Sequence, residues 1–196
     1  LLYYLGLLTI KDHDLGIPVL GIPNLVVEKL YFDYFRELLD AELEMPEPLA
    51  VQHLVLEMAR HNRPEPLMAL VAETLVKASA RDFIHLNETG VKMILMSYLH
   101  ASQLYYLRSE PEAEQGYIDL WLMRKPPIET PYQFIFELKF LKKQAASRLA
   151  ASAEAGRAQL RRYLSDPAMQ SEPNLRGWLV VFVGTELQLM EEVMEA

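Results

Sequence analysis

Asp119, Glu137 and Lys139 are the residues of this chain whose types and spacing suit a chemical step. Asp119 stands in the apolar run Gly116-Tyr117-Ile118-Asp119-Leu120-Trp121-Leu122-Met123. Glu137-Leu138-Lys139 stands in Tyr132-Gln133-Phe134-Ile135-Phe136-Glu137-Leu138-Lys139-Phe140. Between the two runs, Lys125-Pro126-Pro127 and Thr130-Pro131 supply turn residues, so a hairpin brings two carboxylates and an ammonium together. Two carboxylates suit a hard divalent cation, and a lysine beside them can orient water or offset negative charge on a phosphate. That set is the minimum for hydrolysing a phosphodiester.

Strand alternation sharpens the grouping. Glu137 and Lys139 lie two apart and share a face, while Phe136, Leu138 and Phe140 take the other face, which should pack on a helix. Asp119 shares its face with Tyr117 and Trp121. A carboxylate among strand apolars costs free energy unless it is paired or metal-bound, so Asp119 is either a metal ligand or the salt-bridge partner of Lys139. The backbone carbonyl of Leu138 is a further oxygen ligand. Glu88, in the first turn of a helix that Asn87 would cap, is either a third acid of the site or a favourable charge at the helix dipole. Glu110 and Glu112 are rival acids near the end of a strand.

The elements that must position these groups follow from periodicity and punctuation. Helical spacing predicts a helix from Asn87 to about His100, with Val91, Ile94, Leu95 and Leu99 on its apolar face. Strands are predicted over 104–109, 117–123, 134–140 and 177–183. An alanine-rich, basic helix is predicted from about Ala145 to Leu164. The order helix, strand, strand, strand, helix, strand implies an α/β fold with a mixed central sheet and helices against its faces. Ahead of it, Pro46-Glu47-Pro48 and Asn62-Arg63-Pro64 interrupt the chain. Two helices, roughly 49–60 and 66–80, then form a connector over 46–80. Residues 1–45 read as a small separate module. It holds a hairpin turning at Asp12-His13-Asp14-Leu15-Gly16 and a helix capped by Asn24, in the manner of a winged helix.

The order of elements, with Asp119 and Glu137-Leu138-Lys139 on the second and third strands, resembles the PD-(D/E)XK nuclease superfamily. Glu137-Leu138-Lys139 matches the (D/E)-x-K part and Asp119 the preceding aspartate, although Ile118 replaces the usual proline. Gln159-Leu160-Arg161-Arg162-Tyr163 fits the Gln-x-x-x-Tyr that many members carry, and four-residue spacing puts Gln159 and Tyr163 on one helical face. The resemblance implies a restriction-endonuclease-like αβββαβ core over 81–196. It also implies Mg²⁺ or Mn²⁺ held by Asp119, Glu137, Glu88 and the Leu138 carbonyl, catalysis by Asp119, Glu137 and Lys139, and substrate positioning by Gln159 and Tyr163. Leu2-Tyr3-Tyr4-Leu5-Gly6-Leu7-Leu8-Thr9-Ile10 and Gly21-Ile22-Pro23-Asn24 resemble the segment that follows the ATPase domain in bacterial AAA-ATPase-like proteins. DNA and the ATPase domain of the same full-length protein are the partners this implies. The chain itself has no GxxxxGK[ST] loop.

Composition bounds these expectations. The absence of cysteine excludes disulfide scaffolds, thiolate zinc sites and cysteine nucleophiles, and suits a cytoplasmic, reducing setting. The opening Leu1-Leu2-Tyr3-Tyr4 is too short to span a bilayer and lacks signal-peptide flanks. It reads as a cut inside a longer protein or a start lacking its first residues. The net charge of -8 argues against non-specific nucleic-acid binding by the whole chain. Residues 138–163 differ: seven basic residues, among them Arg157, Arg161 and Arg162, face only Glu154, leaving this segment about +6. It is either a phosphate-binding helix or a solvated face. The function expected is metal-dependent hydrolysis of DNA. The alternatives are a nucleic-acid or protein-binding module with the same fold and no chemistry, and a regulatory tail that docks on its own ATPase.

Overall fold

Local signals place the elements of the computed structural model, which describes residues 1–43, 45–80, 87–109, 112–113 and 116–194. The chain divides into two units, Leu1–Glu44 and Met45–Ala196. In the first, β1 (Thr9–Asp14) and β2 (Ile17–Gly21) pair antiparallel as a two-stranded sheet of their own. Leu15 and Gly16 both have positive φ, 48° and 85°. That backbone twist suits a two-residue hairpin, and glycine adopts it without strain. Helix α1 (Leu25–Leu43) follows. The Asn24 side-chain oxygen accepts the N–H groups of Val26 and Val27 at 3.0 and 3.1 Å, satisfying two donors of the first turn. The Tyr31 hydroxyl donates to the Leu7 carbonyl at 3.2 Å and ties α1 to the opening turns.

The second unit begins with α2 (Pro48–His61), α3 (Glu65–Ala80) and α4 (Glu88–Ser102). Pro48 opens α2, where a missing N–H costs nothing, and Asn62 closes it in the left-handed region at φ 54°. Asn87 caps α4, accepting the Gly90 N–H at 2.8 Å. Helices α2 and α3 pack on α4, and α3 also meets the last strand, so 46–80 lies inside the unit that holds the main sheet rather than between two parts.

The strands are β3 (Tyr105–Ser109), β4 (Glu112–Ala113), β5 (Gly116–Tyr117), β6 (Leu120–Arg124), β7 (Gln133–Leu141), β8 (Leu175–Val183) and β9 (Glu186–Val193). A 3-10 turn over Lys143–Arg148, then α5 (Leu149–Leu164) and α6 (Pro167–Gln170), links β7 to β8. The sheet order is β3-β6-β7-β8-β9, with β7 and β8 parallel and the other pairs antiparallel. A mixed central sheet with helices on both faces is therefore the fold, as the order of elements implies.

Alternation assigns the two faces. Ile135 of β7 and Leu179 and Val181 of β8 join Trp121, Ala153, Leu160 and Tyr163 in one buried cluster under α5. Phe134, Phe136 and Leu138 point the other way, where α4 packs. Alanines and Gly156 let α5 lie close to the sheet: a Cβ on Gly156 would come within 2.4 Å of a Leu179 methyl.

Two features depart from the sequence reading. The strand expected over 117–123 is broken at Ile118–Asp119, and β5 pairs with β4 instead of joining the main sheet. An additional edge strand, β9, follows β8; its three glutamates mask the alternation of Leu187 and Leu189.

Candidate active site

Strand β7 runs through the middle of the sheet, and buried apolar residues at Phe134, Ile135, Phe136 and Leu138 hold it rigid. Glu137 is carried into this interior with 0% exposure, on the α5 side that its spacing from Ile135 dictates. Burial of an ionised carboxylate has to be compensated. Lys139, two residues on and on the same face, donates from Nζ to Glu137 Oε1. Among the described residues Glu137 Oε2 is buried with no hydrogen-bond partner.

Asp119 reaches the same place from the neighbouring strand. Leu120 pairs with Phe136, so continuing the ladder would set Asp119 level with Glu137 and Ile118 opposite Leu138. The ladder stops there. The Leu138 N–H goes instead to Asp119 Oδ2 at 2.8 Å. The aspartate thus replaces a ladder acceptor, which explains why the predicted strand breaks at this residue. In a strand a residue's N–H and C=O point to the same side, so the Leu138 carbonyl also faces the Asp119 strand.

Helix α5 contributes the rest of the polar layer. Lys139 Nζ lies 3.4 Å from Gln159 Oε1, Gln159 Nε2 donates to the Tyr163 hydroxyl at 2.7 Å, and that hydroxyl donates to the Tyr117 carbonyl at 2.5 Å. Glu88, in the first turn of α4, contributes through its charge.

The electrostatics follow from the burial. Desolvation first, then the Asp119 charge, push the Glu137 carboxyl up to about 7, against the opposing pull of Lys139; the Glu88 charge adds to the rise. Burial acts to lower Lys139, but its bond to Glu137 and the charges of Glu137, Asp119 and Glu88 outweigh this and hold it above its ordinary value. Burial also raises Tyr163, helped by the charges of Glu137 and Asp119.

A hard cation fits this donor set. Its oxygens come from two carboxylates and a facing carbonyl, one carboxylate oxygen is buried without a partner among the described residues, and burial and then neighbouring negative charge raise Glu137. Among the described residues no three of the His, Cys, Asp and Glu side chains form a ready metal cluster. The described geometry therefore brings together Asp119, Glu137, Lys139, Leu138, Gln159 and Tyr163, with Glu88 acting on them by charge. Lys139 pairs with Glu137, and the Asp119 charge acts on it as well. Glu110 lies outside the described residues.

The basic helix divides. Arg157 meets Glu191 of β9 through Nε and Nη2 and Glu154 through Nη1 at 3.0 Å. Sequence reasoning counted Glu154 alone against this segment; Glu191 escaped notice because β9 did. Arg161 lies 4.0 Å from Glu154 with its side chain 48% exposed, and Arg162 is exposed. Reasoning from sequence also missed the Tyr117 carbonyl, which no residue type could have revealed. One cavity of about 520 Å³ is lined by Leu164, Met169, Arg176 and Glu192 among others, and its lining does not include Asp119 or Glu137.

A family model described as the PD-(D/E)XK nuclease superfamily matches residues 86–192. No curated protein matches the chain.

Proposed function

The chain belongs to the PD-(D/E)XK nuclease superfamily, and on that premise we propose that it hydrolyses DNA phosphodiester bonds with Mg²⁺ or Mn²⁺. The observation that carries this reading is the buried Glu137, whose Oε2 has no partner among the described residues and whose carboxyl is raised by burial and then by the Asp119 and Glu88 charges, a setting that suits a cation. Asp119, Glu137 and the Leu138 carbonyl would hold the ion, with Glu88 adding negative charge. A divalent cation there supplies charge against phosphate oxygens and makes water more acidic.

The chain's own groups do the remainder. Lys139 carries a full positive charge, held above its ordinary value by its acidic neighbours, so it can orient water and offset charge developing on the phosphate. Its pairing with Glu137 neutralises the acid when no cation is bound. Arg161 and Arg162, exposed on α5, suit contacts to the phosphate backbone. Arg157, already held by two carboxylates, suits a tie between α5 and β9.

The first unit is read as the winged-helix-like segment that follows an ATPase domain. Its helix α1 exposes Val26, Leu30, Tyr34 and Leu38 at four-residue spacing, an apolar ridge that suits a protein partner. Among the described residues no helix is long and apolar enough to cross a membrane.

The decisive experiment pairs a Mn²⁺ titration by calorimetry with cleavage of linear and supercoiled DNA. Cation binding lost in Asp119→Asn together with cation-dependent cleavage supports the reading. Salt-dependent DNA binding with no cleavage under any divalent cation would replace it by a binding module.

A further inference from the structure

We infer that Gln159 and Tyr163 are positioning residues rather than substrate contacts: together they clamp Lys139 of β7 and the Tyr117–Asp119 segment to helix α5. The inference rests on the hydrolase reading above for its functional meaning, and on geometry for its content. Tyr163 is 1% exposed, so its hydroxyl has no access to a bound nucleic acid. That hydroxyl donates instead to the Tyr117 carbonyl at 2.5 Å and accepts from Gln159 Nε2 at 2.7 Å.

The polarity of this chain of bonds is determined from both ends. An ammonium can only donate and a backbone carbonyl can only accept. Lys139 therefore takes the Gln159 oxygen, the Gln159 amide donates to Tyr163, and Tyr163 donates to Tyr117. A flipped Gln159 amide would face an ammonium with its own donors, so one arrangement satisfies every member. The four-residue spacing on α5 is what lets the two side chains meet.

The clamp sits where the sheet provides least. The β6–β7 ladder ends at Leu120–Phe136, so no regular pairing fixes Tyr117, Ile118 or Asp119 in the main sheet. Two ties take its place: Leu138 N–H to Asp119 on one side and Tyr163 to Tyr117 on the other. At the other end, Gln159 offers the Lys139 ammonium a second acceptor besides Glu137. One helix thereby sets the separation of the aspartate from the lysine.

Tyr163→Phe removes the hydroxyl and keeps the ring; Gln159→Met removes both amide bonds at similar size. The first readout is amide hydrogen exchange by NMR in cation-free protein. The Leu138 amide, held by Asp119, should exchange about tenfold faster in Tyr163→Phe relative to Phe136 and Phe140, in line with the net worth of one hydrogen bond. A uniform change across the sheet, or none, would overturn the clamp. The second readout is Mn²⁺ affinity, expected about tenfold weaker in Tyr163→Phe. For Gln159→Met the expectation is a lower kcat at unchanged KM for DNA, since substrate binding is untouched. A raised KM at unchanged kcat would overturn it in favour of substrate contact. A wild-type protein that neither binds Mn²⁺ nor cleaves DNA refutes the hydrolase reading, and the exchange experiment then still decides the clamp.

Discussion

Helix α5 touches two groups of paired charges, and they differ mainly in burial. Around Gln159 lies the Lys139–Glu137 pair, with the glutamate at 0% side-chain exposure and the lysine at 22%. Around Arg157 lie Glu154 and Glu191, at 66% and 30%. Lys139 and Glu137 lie two apart on β7, whereas Arg157 joins Glu154 of its own helix and Glu191 of β9. In the more exposed group water screens the charges, and the bonds to Glu191 and Glu154 only hold Arg157 above its ordinary value. In the buried group desolvation, and after it the Asp119 charge, raises Glu137, and Oε2, unpartnered among the described residues, suits a cation beside that charge. Similar residue types thus make a surface tie in one place and a candidate reaction centre in the other.

The largest effect expected from breaking this contrast is on chemistry. Lys139→Ala should lower DNA cleavage on the order of 10²–10³-fold, as loss of one stabilising group in a buried site does. The fold should persist with Glu137 protonated, checked by circular dichroism beside the cleavage assay. Unchanged turnover would put the buried pair in the same class as the exposed one.

Next comes the pH dependence of stability. The folded-state value of Glu137, about 7, lies above its ordinary 4.5, so the folded protein binds the extra proton between those values. The stability this represents is fully present below 4.5 and lost as pH rises through 7, up to about 3 kcal/mol. Burial sets this window first, and the charges of Asp119, Lys139 and Glu88 adjust it. Urea denaturation of cation-free protein at pH 5 and pH 8 should show the loss, and Glu137→Gln should remove it. An equal slope in Glu137→Gln would mean that burial does not penalise this acid.

Arg157→Ala should lower stability only slightly, as loss of a water-screened ion pair does, and less still in high salt, read from urea denaturation. Cleavage should be unaffected. A large loss of cleavage would mean that the two groups are coupled through α5.

The smallest effect concerns Arg161 and Arg162. Replacing both with alanine should leave stability unchanged and flatten the slope of log affinity for duplex DNA against log salt by roughly 0.9 per lost phosphate contact. An unchanged slope would make this part of α5 a solvated face, like the turn that carries Arg157.

Much of this was legible before any coordinates. Glu137 and Lys139 share a face because strand period is two, and Gln159 and Tyr163 meet because helical neighbours are four apart. The Asn87 cap and the break at Asn62 follow from local chemistry that needs no partner. Strand β9 was not legible, because Glu186, Glu191 and Glu192 suit an edge strand and a solvated tail equally well. Nor was the packing of α2 and α3 in the same unit as the sheet, since the prolines that separate helices do not say what the helices pack against.

What the sequence alone determined about this protein is local: which residues share a face, where helices begin and end, and the order of elements from which a mixed sheet follows. Those properties depend on backbone geometry and on residues a few positions apart. Tertiary structure decided which charges lose their water. The sequence offers Lys139 as a partner for Asp119 and Arg157 as a basic residue on an open helix. Folding pairs Lys139 with Glu137, gives the Leu138 N–H to Asp119, and seats Arg157 against Glu191 from the far edge of the sheet. Desolvation depends on everything packed around a group, including chain many residues distant, and therefore cannot be read from neighbours in sequence.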